Sequence, residues 1–153
     1  MRLFLLIGTI LLGAAAPALA EPALAEEAAS APATDANLFI YRVHAEPLVW
    51  APTAKIDGQK VVAIGQKQYT AIHLAPGRHD IQLAWPIFSG QKGKKGSITI
   101  VEGENLYLEV TGVSRVAGIV YGGYQFLMGS GLTPHQDATA EIASCCEFKP
   151  PKD

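Results

Sequence analysis

Turn signals crowd the middle of this chain so closely that only short strands fit between them. From Lys55 to Trp85 it reads KIDGQKVVAIGQKQYTAIHLAPGRHDIQLAW. Asp57-Gly58 is a turn pair, because both residue types tolerate the positive φ of a two-residue hairpin. Gly65-Gln66 ends a short branched run at 61–64. Ala75-Pro76-Gly77-Arg78 puts Pro where φ is fixed and Gly where φ turns positive, the chemistry of a type II turn. Segments 69–74 and 79–85 alternate apolar and polar residues, as half-buried strands do.

The turn at 75–78 predicts a hairpin with a definite register. Ala75 opposite Arg78 sets Leu74 against His79, Ile72 against Ile81 and Thr70 against Leu83, so most branched apolar positions share one face. The other face then pairs His73 with Asp80. A slip of one residue would turn every side chain to the wrong side. Type II turns splay tight hairpins, which leaves a bulged loop open as the alternative.

Other stretches read in the same way. Residues 38–43 (LFIYRV) make a first strand, followed by a loop with Pro47, Pro52 and Trp50. Residues 86–96 are a loop ending in GQKGKKG, mobile and basic. Strands follow at 97–101 and 105–111, joined through Glu102-Gly103-Glu104. Ile98 and Ile100 share a face of the first; Leu106, Leu108 and Val110 share a face of the second, with Tyr107 and Glu109 on its reverse. Residues 116–133 carry no charge and hold five glycines; within them 119–121 and 124–128 read as two short β runs. Thr133-Pro134 is an N-cap followed by an N1 proline, which predicts a short helix over 134–144. The tail at 150–153 begins Pro150-Pro151 and is expected to fray. Many short strands with one short helix predict an all-β fold: a small antiparallel β-sandwich, immunoglobulin-like or transthyretin-like, over residues 37–149.

The N-terminus has another character. Arg2, an apolar run over 3–16 and Ala18-Leu19-Ala20 form the three regions of a secretory signal peptide over residues 1–20. Cleavage after Ala20 starts the chain at Glu21, with Ala23-Leu24-Ala25 as a second candidate site. Residues 21–36, rich in Ala, Glu and Pro, bury too little apolar surface to order themselves and read as a flexible leader. The expected location is therefore the periplasm or the medium. Loss of Arg2 takes the formal net charge from −2 to −3, which excludes the basic footprint of a nucleic-acid binder.

Segment 38–110 resembles a family of small exported bacterial proteins, the domain-of-unknown-function family 2846. The features that carry the resemblance are Tyr41-Arg42, Ile56-Asp57-Gly58, Tyr69 and Leu74-Ala75-Pro76-Gly77-Arg78-His79. The Pro-Gly-x-His turn after an Asp-Gly turn is also similar to the PEGA-type β-sandwich modules of cell-envelope proteins. The resemblance implies an envelope-associated β-sandwich and no assigned reaction. Many such proteins look like lipoproteins; this chain has no cysteine near the cleavage site to accept a lipid.

Few residues offer chemistry. His44, His73, His79 and His135 lack the i, i+2 or i, i+4 spacing of a metal site, and a surface His73–Asp80 pair with His79 at the core rim accounts for the middle two. Cys145 and Cys146, the sole cysteines, are adjacent. They are open to a strained vicinal disulfide, an intermolecular bridge or burial as thiols; the two-residue spacer of a redox motif is missing. Neither a Gly-x-Ser-x-Gly elbow nor a Gly-Lys-[Ser/Thr] phosphate loop occurs. No cofactor and no enzymatic activity is expected. Lys92, Lys94 and Lys95 are candidate contacts for an anionic envelope surface such as lipid phosphate. Trp50 and Trp85, with Tyr41, Tyr69 and Tyr107, are candidates for a glycan or peptidoglycan platform. The expected role is a binding or assembly module with an envelope protein or glycan as partner and peripheral membrane contact; carbohydrate binding through exposed aromatics is the alternative.

Overall fold

The computed structural model describes residues 35–120 and 123–152, and over 114–120 and 123–128 the backbone course alone. The signal peptide and nearly all of the leader expected at residues 1–36 lie outside them. The described chain forms two sheets. Strands β1 (Leu38–Arg42), β4 (Gln68–Ile72), β7 (Leu106–Val120), β8 (Gly123–His135) and β9 (Glu147–Phe148) lie in the order β8-β7-β1-β4-β9. Strands β2 (Thr53–Ile56), β3 (Gln59–Ala63), β5 (Gly77–Ala84) and β6 (Lys94–Ile100) lie in the order β3-β2-β5-β6. This is the all-β sandwich that the turn spacing implies.

Alternation builds its core. Leu38, Ile40, Leu108 and Val110 of the larger sheet pack against Ala54, Ile56, Val62, Ile81, Leu83 and Ile100 of the smaller one. Each buried Leu or Ile contributes about 1.5–3 kcal/mol, and slipping a strand by one residue would forfeit several at once. Asp57 and Gly58 have φ of 51° and 83° and close the β2–β3 hairpin, with Ile56 opposite Gln59. Not every pairing is antiparallel: β1–β7 and β4–β9 are parallel. Strand β7 arrives from β6 in the other sheet through Glu102-Gly103-Glu104, and so enters beside β1 in the same direction.

The expected hairpin at 75–78 is not formed. Strand β4 pairs with β1 and β9, whereas β5 pairs with β2 and β6 in the opposite sheet. The turn carries the chain from one sheet to the other, with Gly77 at φ 136°. The physical reason lies in the alternation itself. Two strands with one apolar face each satisfy that pattern side by side, or face to face across a core. The Pro-Gly chemistry at 76–77, ill-suited to a tight hairpin, favours the second. His73 therefore does not meet Asp80; its Nδ1 lies 2.8 Å from the Asp35 carbonyl oxygen.

Three further expectations change. The two β runs at 119–121 and 124–128 belong to one long hairpin, β7–β8, paired from Tyr107–His135 out to Val120–Gly123. Thr133-Pro134 lies in β8 rather than capping a helix; β8 is a sheet edge, where a residue without an N–H is tolerated. Helix α1 (Thr139–Cys145) starts later, after Asp137, whose Oδ1 accepts the Thr139 N–H at 2.9 Å. The tail is docked, not frayed, as far as Lys152. Lys149 N–H donates to the Tyr69 carbonyl at 2.7 Å, and Lys152 N–H to that of Val61 at 2.6 Å.

Helix α1 and the tail cover the outer face of the larger sheet. Tyr41 and Tyr107 are buried there with Ala138 and Ile142. The Tyr41 hydroxyl donates to Glu141 at 2.9 Å. Burial first, and then Glu141, push that hydroxyl well above its ordinary pKa.

Candidate binding surfaces

The aromatic platform does not assemble. Trp85 belongs to the core, and Trp50 is partly buried against it. Tyr41 and Tyr107 lie beneath α1, Phe39 stacks on Tyr107 at 5.0 Å, and Tyr69 packs on Phe148. These rings fill two cores.

Trp85 and Trp50 converge instead on a side chain whose burial sequence reasoning missed. Arg42 is fully buried. Its Nη1 donates to the carbonyls of Trp50 (2.8 Å) and Ile64 (3.2 Å), and its Nη2 to those of Ala45 (2.7 Å) and Pro47 (2.9 Å). The guanidinium carbon sits 5.2 Å from the Trp85 ring centroid, within cation–π range. Burial pulls its pKa below the ordinary value, yet an arginine keeps its proton in a protein. The group thus holds the β1–β2 loop and the end of β3 to one point. Alternation carried the signal: Leu38 and Ile40 point inward, so Arg42 does as well.

The basic stretch is more ordered than its glycines imply. Lys94 and Lys95 begin β6, and Ser130 Oγ of β8 donates to the Lys92 carbonyl at 3.0 Å. Register places Lys94 opposite Leu83, Gly96 opposite Ile81 and Ile98 opposite His79. Leu83 and Ile81 are core residues, so Lys94, Gly96 and Ile98 share the inward face. Between β6 and β8 the sandwich is open. A slot of about 560 Å³ lies there, floored by Ile81 and Leu108 and walled by Ile98, Leu106, Leu132 and Pro134. Lys94 and Lys95 line it as well. Every ion pair among the described residues is made by a histidine, so neither lysine has a carboxylate partner there.

A second surface lies where the long hairpin leaves the sandwich. Strand β1 accompanies β7 only to Glu109. Glu46 N–H donates to the Gly112 carbonyl at 3.0 Å, and Gln91 Nε2 to the Val113 carbonyl at 3.2 Å. A Cβ at position 112 would run into the Glu46 carbonyl, so only glycine lets the loop seat there. Both loops that grip this point carry exposed apolar side chains: Leu48 and Val49 in one, Ile87 and Phe88 in the other, with Val113 exposed beside them. Ile87 and Phe88 are 92% and 86% exposed, unusual for side chains of that size. From Ser114 to Val120 and back from Gly123 to Met128, the two strands pair only with each other. This arm is about 20 Å long at ~3.3 Å per residue.

The titratable groups form clamps. His79 Nδ1 lies 2.7 Å from Asp57 Oδ2 and its Nε2 2.9 Å from the Ala75 carbonyl oxygen. With an acceptor at each nitrogen, the doubly protonated ring satisfies both. The bond to Asp57 raises the His79 pKa, and the bond from His79, with the Asp80 N–H, lowers that of Asp57. The pair ties the sheet-to-sheet turn at 75–78 to the β2–β3 turn. His135 Nε2 similarly meets Glu109 Oε2 at 3.0 Å. Among the described residues no three His, Cys, Asp or Glu side chains converge as a metal site would require. Cys145 and Cys146 are joined to each other in a vicinal disulfide, at the end of α1 beside β9.

No family model, curated protein or solved structure matches this chain. A functional reading rests on its own residues and their arrangement.

Proposed function

We propose that this protein is an exported binding or assembly module of the bacterial envelope, with no reaction of its own, and that it docks through the end bearing the β7–β8 arm. The arm is the observation that carries this reading. A two-stranded ribbon standing alone in water is marginal, because its outer edges leave N–H and C=O groups unpaired. A strand edge on another protein satisfies them, as in recognition by strand addition. Leu48, Val49, Ile87 and Phe88 are exposed in the two loops that bond to the arm's base, and Val113 is exposed at the base itself, where such a partner would cover them. Open edges are not tolerated in hydrocarbon, so a lone arm fits a protein partner better than a bilayer. Export follows from the signal-peptide pattern at 1–20, and the sandwich motifs at 41–42, 56–58 and 74–79 agree with the envelope families they resemble. The glycan reading loses support, since it needs an open tryptophan face and Trp85 is in the core.

A photo-crosslinking residue at position 88 or 113 of the full chain, in its native cell, tests the docking end. Protein adducts are expected from both positions and not from Glu102, which lies in the turn at the opposite end of β7. Absence of adducts at both 88 and 113 would reject the arm as the docking element. N-terminal sequencing of the envelope fraction should begin at Glu21; an intact Met1 would reject export by cleavage.

A further inference from the structure

We infer that the slot between β6 and β8 is a binding site for a single-chain aliphatic carboxylate, a fatty acid, whose chain lies between the sheets and whose carboxylate meets Lys94. Three features of the slot point to this ligand. The first is its chemistry. Ile81, Ile98, Leu106, Leu108, Leu132 and Pro134 present hydrocarbon from both sheets, and stacked sheets stand ~10 Å apart. Such a gap admits a thin apolar chain. Its volume of about 560 Å³ falls within the ~300–1,000 Å³ of small-ligand sites.

The second is Gly96. It stands at an inward position between Lys94 and Ile98, opposite Ile81. A Cβ built there meets nothing within 4 Å. The space under β6 therefore exists because this inward position has no side chain. The backbone there does not itself demand glycine, since Gly96 is not among the glycines with positive φ. A strand made only for stability would fill that space with a branched residue.

The third is charge. Lys94 takes an inward position that the alternation would otherwise give to an apolar residue, and it has no carboxylate partner among the described residues. Lys95 lines the same slot. Cations beside an apolar cleft select a ligand with an anionic head and an apolar body. An added β-strand fits this place less well than it fits the arm: Pro134 has no N–H to give a partner along β8, and the lining side chains converge inward rather than along an edge.

Laurate titrated into the full mature chain, below its micelle concentration and followed by calorimetry, tests the site. Saturable one-to-one binding is expected, tightening up to about fourfold per methylene from octanoate to laurate. Gly96→Leu should weaken laurate at least tenfold without lowering the melting temperature, because its side chain enters open space. Gly96→Ala, which adds a single methyl, should weaken it less and guards against a folding artefact. Lys94→Glu should weaken laurate at least tenfold but uncharged monolaurin less than threefold. Methyl resonances of Ile98 and Leu132 should shift on binding. Laurate that fails to saturate, a Gly96→Leu or Lys94→Glu variant that binds like wild type, or shifts confined to Ile87 and Val113 would each overturn the assignment. None of these outcomes depends on the arm.

Discussion

The two long sides of the sandwich are finished in opposite ways. On one, where β9 and β3 are the edges, the chain seals itself. The tail adds β9 to the larger sheet, and Lys152 then donates to Val61 in the smaller. Arg42, from the larger sheet, reaches Ile64 just beyond β3. On the other side β6 and β8 face each other across an apolar slot, with lysines that have no carboxylate partner among the described residues and a glycine where the core pattern calls for a side chain. One chain thus closes one seam with backbone bonds and a buried cation, and leaves its counterpart open. The difference argues that the opening is a site and not poor packing, since the same sandwich is tightly finished at its opposite edge.

Removing Arg42 should do the most damage to the closed side. Arg42→Met keeps much of the volume but strips donors from four carbonyls. Bonds from a charged donor contribute about 1.5–3 kcal/mol each, and acceptors left buried and unpaired add a penalty. A loss of about 4 kcal/mol or more in urea unfolding is expected, against less than about 1 kcal/mol for Gly96→Leu on the open side. Equal losses would erase the contrast. Ending the chain after Cys146 is the next largest change. It removes the bonds from Glu147, Lys149 and Lys152 to Lys67, Tyr69 and Val61 and the Phe148–Tyr69 contact. At about 0.5–1.5 kcal/mol per bond the expected loss is about 3 kcal/mol, with faster hydrogen exchange at β4. An unchanged unfolding midpoint would mean that the tail is decoration.

The same contrast shows what could be read beforehand. Most strand positions and the Asp57-Gly58 turn were legible because turn chemistry and alternation are local. The partner of each strand was not. Residues 69–74 and 79–85 have matching apolar faces, and matching faces serve a hairpin or a two-sheet crossing equally. Thr133-Pro134 misled for a related reason: a proline is as welcome on an edge strand as at a helix start, and only the sheet order tells them apart. Lys92, Lys94 and Lys95 were legible as a basic cluster. The slot beside them was hidden, although the spacing of Gly96, Ile98 and Ile100 already put that glycine on the core face. Arg42 was concealed by its type, because arginine is rarely buried without a carboxylate.

The smallest effect should come from the His79–Asp57 clamp, and it sharpens the comparison by pH. The folded His79 pKa is raised above its ordinary 6.5, first by its bond to Asp57 and then by that to Ala75. The clamp's contribution through His79 is therefore complete below that ordinary value and fades as pH rises through the folded one. The folded Asp57 pKa is lowered from 3.8, first by His79. Its contribution is complete above 3.8 and fades as pH falls through the folded value. The clamp thus works in the mildly acidic range between the two ordinary values, and the pair is exposed enough for solvent to weaken it. His79→Gln cannot donate to Asp57 and Ala75 in the same geometry. Its melting temperature should fall furthest below wild type near pH 5, with the gap narrowing as the pH is raised past the folded His79 value. A gap of constant size from about pH 5 to about pH 9 would show that the ring acts by packing alone. The link between the two turns would then be steric. Neither Asp57 nor His79 lines the slot, although His79 lies opposite Ile98 in the register, and laurate affinity should not follow this profile. If it did, the open side would be coupled to the turns, and the two sides of the sandwich would not be independent.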